Sequence, residues 1–332
     1  MIEGVQMVSV ATMRDVASEA GVSTATISRY LNGKTNHMSS ATAKRVTEAI
    51  KKLNYVPNES ARQLITKQSR LVAVVAADVD DYFSTEIFKG VNSVLKKNNF
   101  IAVLMDSDSD EQRELGTLSS LNQQMFGGVI IQPLSNDLKA FKKVIPQNIP
   151  VVMLDRQVEN SPWPSVVTNN YTISKKAAQY FKDQGLNHVF VITNNVKNVS
   201  TREERLSGIK AVFHENVQII EPGDNEDSFN VAYEKLKRSV AATHGGLIFA
   251  LKERWLLKFL PKLIRDGVIR KSDGVHMTGF SDTSLTDNID PGIKVINQDP
   301  YQIGVSAAQI LIEGVESATQ PIAKKIEIPA QF

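Results

Sequence analysis

The residues with the clearest capacity for chemistry cluster in one short run, Arg14 to Asn32, where small hydrogen-bonding side chains open an amphipathic helix. Met13, Val16, Ala17 and Ala20 recur at helical spacing, Gly21 accepts the left-handed backbone that ends a helix, and Ser23 offers a hydroxyl to cap the next one. Ile27, Tyr30 and Leu31 give that second helix a buried side. Thr24, Ala25 and Ser28 remain outward, with Arg29 one turn on. Side chains this small let a helix enter a DNA major groove, so the pattern predicts a helix-turn-helix; an ordinary helical hairpin has the same periodicity.

Catalytic chemistry finds little support elsewhere in the chain. There is no Gly-x-Gly-x-x-Gly after the first strand, no Gly-Lys-Ser/Thr phosphate loop, no Gly-x-Ser-x-Gly elbow and no His-Glu-x-x-His. His37, His188, His214, His244 and His276 each stand without an obvious ligand partner, and the pairs Asp80-Asp81 and Asp108/Asp110 read as loop charges at strand ends. With no cysteine, disulfides, thiol catalysis and cysteine metal sites are excluded together. The expectation is a protein that is not an enzyme and holds no metal or cofactor.

The elements around the opening run strengthen the DNA-binding reading. A third helix is predicted from Val46, Ala49, Ile50 and Leu53, with Lys44, Arg45, Lys51 and Lys52 on its other faces, completing a miniature three-helix core. Pro57 halts it, and Asn58 can cap a very short helix ending near Leu64, marginal on its own in water. Residues 1–70 carry ten Lys/Arg against five Asp/Glu, net +5, while the remainder carries 28 against 31, net −3. Positive charge is concentrated where a polyanion would bind.

Beyond about residue 69 the pattern changes to short apolar strands alternating with amphipathic helices. Runs at 71–77, 100–105, 128–131 and 151–154 are continuous in the manner of strands buried on both faces of a parallel sheet, and further strands are predicted at 188–192, 247–250, 275–278, 294–296 and 325–328. Helices fall between them, with stripes at Ile87, Val91, Val94 and Leu95 and at Leu115, Leu118, Leu121 and Met125, then around 171–184, 204–214, 253–266 and 301–315. Two doubly wound lobes follow. At 332 residues and 42% hydrophobic the chain can bury cores of that size. No apolar run approaches a membrane span, and no signal-peptide core precedes the polar N-terminal region, which predicts a cytoplasmic protein.

Taken together, Asp15-Val-Ala through Val22-Ser, Thr26-Ile-Ser-Arg-Tyr-Leu-Asn32, the Asn54-Tyr-Val-Pro-Asn58 join and several positions of the large domain resemble the LacI/GalR family of bacterial transcription regulators. The resemblance implies an α/β fold class: an N-terminal all-α helix-turn-helix headpiece ahead of a two-lobed, doubly wound parallel-sheet core like that of periplasmic sugar-binding proteins. The expected boundaries are a disordered leader or upstream start at 1–11, the headpiece at 12–57 and a hinge helix and linker at 58–69. The core spans 70–332, one lobe formed by about 70–168 with 299–323 and the other by 169–298 with 324–332. In this family frame Thr24 and Ala25 read base edges, with Arg29 for a guanine or a phosphate. Ser23, Ser28, Asn32, Tyr55 and Asn58 face phosphates, while Ala61 and Leu64 enter the minor groove, Leu64 as the wedge. The chain ends soon after its last strand without a leucine-heptad tail, which favours a homodimer on a pseudo-palindromic duplex operator over a tethered tetramer.

The same frame places Asp155, Asn170, Arg205 and Gln298 around a sugar-type effector between the lobes, with Arg202 and Arg156 nearby; Phe83 and Trp163 or Trp255 are candidates for an apolar face, with core packing the alternative for each. Two positions depart from the pattern: Lys252 follows Leu251 where many relatives carry Asn-Asp, and Ser281 stands where an aspartate is common. With Asp155 the one obvious acidic handle and Lys252 without a visible counter-ion, either the effector is anionic, a sugar acid or phosphorylated sugar, or Lys252 caps its strand and points to water. The competing reading is a solute-binding or sugar-metabolising protein with a basic N-terminal hairpin. The headpiece motif weighs against it.

Overall fold

A computed structural model describes residues 11–31, 33, 35–36, 38–56, 69–121, 126–145, 147, 149–197, 199–223, 225–269, 274–317 and 319–332. The chain divides into two units, 1–68 and 69–332.

In the first unit, helix α1 (Met13–Ala20) begins in a capping box: the Asp15 amide donates to the Thr12 hydroxyl at 3.3 Å and the Thr12 amide to the Asp15 carboxylate at 2.7 Å. Gly21 ends it at φ 61°, a left-handed conformation that suits glycine. Helix α2 (Thr24–Leu31) starts on Ser23, and α3 (Ser40–Lys52) on Ser39, whose hydroxyl accepts from the Thr42 amide at 3.1 Å. Val16, Ala17, Ala20, Ile27, Val46 and Ala49 form the core, and the Tyr30 and Thr47 hydroxyls, 2.6 Å apart, tie α2 to α3. Ala11, assigned by the sequence to the leader, packs against this core, which needs apolar cover at its open end. The preceding ten residues, and the hinge segment 57–68, lie outside the described residues.

The second unit holds two parallel sheets. In chain order its elements are β1 (Leu71–Ala76), α4 (Tyr82–Lys97), β2 (Ile101–Asp106), α5 (Glu111–Leu121), β3 (Gly128–Ile131), α6 (Leu138–Val144), β4 (Val151–Leu154), β5 (Ser165–Thr168), α7 (Asn170–Asp183) and β6 (Val189–Ile192). Then follow α8 (Ser200–Phe213), β7 (Val217–Ile220), α9 (Glu226–Ala242), β8 (Gly246–Ala250), α10 (Glu253–Arg265), β9 (Val275–Gly279), α11 (Leu285–Ile289), α12 (Pro300–Ser317) and β10 (Lys325–Ile328). The first sheet runs β10-β5-β4-β3-β1-β2 and the second β7-β6-β8-β9, each covered on both faces by apolar clusters. Strands β3, β4, β6 and β8 are buried throughout, which explains their unbroken apolar runs.

The chain passes between the lobes at Thr168–Asn170, at Gln298–Asp299 and again after Ile328. The last of these corrects the expected boundary. Strand β10 pairs with β5 from Lys325↔Ser165 to Ile328↔Thr168, so 325–328 complete the first lobe's sheet, and only the final residues, with Ala330 and Phe332 packed in the second lobe's core, return to the other side. The physical reason is edge pairing: β5 has an open side, and a parallel strand closes its ladder. The strand expected at 294–296 is reduced to an isolated bridge, Phe280↔Ile296.

Candidate functional site

On the first unit, Thr24, Ala25 and Arg29 are exposed at the start and along one side of α2, and Ser28 is half-buried. The Ser23 hydroxyl accepts from the Thr26 amide at 3.2 Å, so this residue caps the helix whose N-terminus it presents. Tyr55 departs from expectation: it is 7% exposed and belongs to the headpiece core, filling the gap that Val16, Ile27 and Val46 leave, with little surface left for a phosphate. Asn32, Asn58, Ala61 and Leu64 lie outside the described residues.

On the second unit, a small cavity of about 30 Å³ sits between the lobes, at the carboxyl ends of β1, β3, β4, β8 and β9. Open α/β sheets place ligands at this position because the loops there diverge and leave backbone and side-chain donors facing one space. Phe83, Asp155, Arg202, Arg205, Lys252 and Gln298, all expected from sequence, line it.

Arg205 is the hub of the site. Its Nε donates to Asn170 Oδ1 at 2.7 Å, Nη1 to the Leu251 carbonyl at 2.5 Å and Nη2 to Gln298 Oε1 at 2.5 Å, while the guanidinium lies 3.6 Å over the Phe280 ring. One side chain thus joins the first crossing, the end of β8 and the second crossing. Gln298 passes the network on, its Nε2 donating to Asp282 Oδ2 at 2.8 Å and its amide to Oδ1 at 3.2 Å. Burial pushes the Asp282 carboxyl up to about 7, against the pull of Arg205 and with Glu253 nearby adding to the rise.

Asp155 sits at the end of β4 with φ 60°, and Gln132 Nε2 donates to its Oδ2 at 3.0 Å. A backbone held in this region by a non-glycine residue stores strain of the kind that binding sites retain. Arg156 donates through Nη1 to the Pro133 carbonyl, and Arg202 through Nη1 to the Asn195 carbonyl at 2.7 Å. Among the described residues, Asp155 Oδ1, Arg156 Nε and Arg202 Nε are buried around the cavity without a hydrogen-bond partner, although Arg156 Nε stands 3.8 Å from Asp155 Oδ2 as an ion pair. Burial, reinforced by Arg156 and Arg205, lowers the Arg202 pKa to about 10.

Lys252 has a counter-ion that the sequence did not reveal. Its Nζ lies 3.1 Å from Asp81 Oδ2, a pair joining the two lobes, and Arg254 lies 3.9 Å from Asp78 across the same opening. Asp81 is therefore no simple loop charge. It caps α4, accepting from the Phe83 amide at 3.2 Å; burial raises its pKa, but Lys252 and that amide outweigh burial and hold the carboxyl below its ordinary value. Burial lowers the Lys252 pKa, with Asp81 opposing.

Two expected residues are placed otherwise. Ser281 is 1% exposed and does not line the cavity; its hydroxyl donates to Glu253 Oε1 at 2.9 Å and meets Thr286 Oγ1 at 2.8 Å, because Glu253 at the start of α10 draws the Ser281 and Thr283 hydroxyls and the Asp282 and Thr283 amides toward itself. Asn170 supports Arg205 from behind and lines instead a wider groove of about 570 Å³ that shares Arg156 with the inner cavity. Trp255 is fully buried in the second lobe, its Nε1 donating to Asn194 Oδ1 at 2.9 Å, and Trp163 packs against the first lobe's core; neither faces the cavity. Asp155 is not the lone acidic handle, since Asp81, Glu253 and Asp282 also line the space. The signal that would have found these, and Gln132, was position: each lies within five residues of the carboxyl end of a strand.

Residues 12–58 match the family described as bacterial regulatory proteins, lacI family, and residues 72–250 match a periplasmic binding protein domain. The transcriptional regulator KdgR of Bacillus subtilis is 29% identical over 96% of this chain and 96% of its own length, and the ribose operon repressor of the same organism 30% identical over 97% of each. Among solved structures, a LacI transcriptional regulator from Lactobacillus brevis is similar at 37% identity and TM-score 0.73, covering 79% of this chain and 98% of that one. The lac repressor dimer bound to operator and an anti-inducer shares the fold at TM-score 0.81 and 20% identity over 97% of each chain. With a helix-turn-helix unit, a two-lobed parallel-sheet unit and relatives matched along nearly the whole length, the chain belongs to the LacI family of bacterial transcriptional regulators.

Proposed function

We propose that the protein is a repressor that binds a pseudo-palindromic operator as a homodimer and is controlled by a small carbohydrate-type effector held between the lobes of its core. The observation that carries the effector part is the cleft: a donor and acceptor set at strand ends in which Asp155, Arg156 and Arg202 each keep a buried polar atom without a hydrogen bond among the described residues, the arrangement a polyhydroxylated ligand would satisfy. A relative named for the ribose operon supports the same ligand class. Thr24, Ala25 and Arg29 are the base-reading residues in this proposal, Ser23 and Ser28 the phosphate contacts at the helix start, and Ala61 and Leu64 the minor-groove pair. The test is a thermal-shift screen of the full chain against neutral and acidic sugars, followed by gel shift on operator DNA. An effector is expected to raise the melting temperature and change operator affinity, since binding and allosteric coupling are reciprocal. Removing residues 1–68, the whole first unit, should abolish duplex binding and leave a folded, ligand-responsive core. A truncated core that still bound duplex DNA would overturn the assignment.

A further inference from the structure

The charges around the inner cavity are unevenly free. Four cations line it, Arg156, Arg202, Arg205 and Lys252, against four carboxyls, Asp81, Asp155, Glu253 and Asp282. Of the carboxyls, Glu253 is already taken by the donors of Ser281, Asp282 and Thr283, and Asp282 by both nitrogens of Gln298. Asp81 belongs to Lys252. A cavity of about 30 Å³ holds no more than a few waters, so a sugar-sized ligand enters only when the lobes part. Parting them separates Lys252 from Asp81, because the two residues come from opposite lobes. That leaves the Lys252 ammonium and the Arg202 Nε edge beside Asp155, whose Oδ2 already stands 3.8 Å from Arg156 Nε and whose Oδ1 accepts no hydrogen bond among the described residues. A buried cation without an anion is costly, and a group of them more so.

On the reading of this cleft as the effector site, we infer that the effector is a polyhydroxylated monocarboxylate, a sugar acid, whose carboxylate replaces Asp81 on Lys252 and reaches Arg202 while a hydroxyl donates to Asp155. The Lys252–Asp81 pair is then a latch that holds the cleft shut without ligand, and it already shows that Lys252 receives a carboxylate at 3.1 Å. A carboxylate rather than a phosphate follows from that same contact, since the ligand's group takes over the place of a carboxylate.

Calorimetry on the full-length protein tests this with D-gluconate, 2-keto-D-gluconate and D-glucuronate against D-glucose, D-ribose and glucose 6-phosphate. At least one acid should bind about tenfold or more tightly than the neutral sugars. Lys252→Met should weaken that acid by about thirtyfold, the loss of a charge-assisted bond. Asp81→Asn, which keeps the helix cap, should strengthen it several-fold by removing the competing carboxylate. The second sign is diagnostic, because a merely structural Asp81 would give weaker binding on substitution. Acid binding that is unchanged in Lys252→Met, weakened in Asp81→Asn, or surpassed by glucose 6-phosphate overturns the inference. Saturable binding of glucose or ribose with none of the acids overturns it too, yet leaves the cleft's carbohydrate role standing. Binding of none of the six compounds overturns both.

Discussion

Glu253 accepts four hydrogen bonds, against the three that Arg205 donates. Its carboxylate accepts from the Ser281 hydroxyl, the Thr283 hydroxyl at 2.7 Å and the Asp282 and Thr283 amides at 3.2 Å, at 2% exposure. Glu253→Ala leaves the buried Ser281 hydroxyl and three half-buried donors without this acceptor, so equilibrium unfolding should show a loss of about 2 kcal/mol, an unsatisfied buried donor costing about 1–3 kcal/mol. A second residue-scale prediction concerns pH. Glu114 on α5 is fully buried, accepts from the Leu134 amide at 2.9 Å, and is pushed by burial from the ordinary 4.5 up to about 7. In the unfolded chain it ionises at lower pH than in the folded one, so its effect on stability is most favourable below about pH 4.5 and is lost as pH rises toward 7. Glu114→Gln keeps the acceptor for Leu134 and removes the charge. Melting temperatures of variant and parent should therefore diverge in the variant's favour across that interval, and parallel curves would contradict this account.

At the scale of elements, the helix that returns from the second lobe is held to the first by two glycines. A Cβ built on Gly90 of α4 would lie 2.0 Å from the Tyr301 carbonyl oxygen, and one on Gly304 of α12 would lie 2.1 Å from that of Ile87. Backbone cannot yield as a flexible side chain does, so the helices must separate around any added methyl. Gly304→Ala should therefore destabilise the core by about 1–3 kcal/mol or more, although alanine is the better helix former, and chemical denaturation reads the loss directly. A stabilised Gly304→Ala protein would mean that α4 and α12 do not pack this closely in solution. Because α12 follows directly on the crossing at Gln298–Asp299, loosening it should also disturb the Gln298–Arg205 contact and lower effector affinity.

For the whole molecule, the expectation is an electrostatic handle in the first unit and a conformational one in the second. Operator affinity should fall with salt at a log-log slope of roughly −0.9 per phosphate neutralised, and salt-independent binding in a titration would contradict a phosphate-anchored complex. Leu64→Ala should reduce operator affinity and bending while leaving effector affinity untouched, because it removes the wedge that offsets unstacking of a base step, a few kcal/mol per step. Thr24 or Ala25 substitutions should instead change base preference by about 1–3 kcal/mol per altered contact. Circular-permutation gel shifts separate bending from affinity; equal bending by Leu64→Ala and parent protein would remove the wedge from the mechanism.

Local chemistry in the sequence was enough for most of the elements, although β5, β7, α6 and α9 went unread and the run at 294–296 forms only a bridge. Gly21 and Ser23 punctuate the headpiece, and buried strands such as Val151–Leu154 show as unbroken apolar runs, since these signals depend on residues a few positions apart. Motif matches carried that further to Phe83, Asp155, Arg205 and Gln298 in the cleft. What no window could contain was pairing at long separation. Asp81 and Lys252 stand 171 positions apart and Arg205 and Gln298 93, while Ser281 turned toward Glu253, 28 positions before it, instead of toward the cavity. Strand β10 likewise joins the first sheet only because β5, some 160 positions earlier, leaves an edge to fill. Local propensity sets where helices and strands form; the partner of a buried charge depends on which strand ends the tertiary fold brings together, and that decided Lys252's counter-ion and the shape of the site.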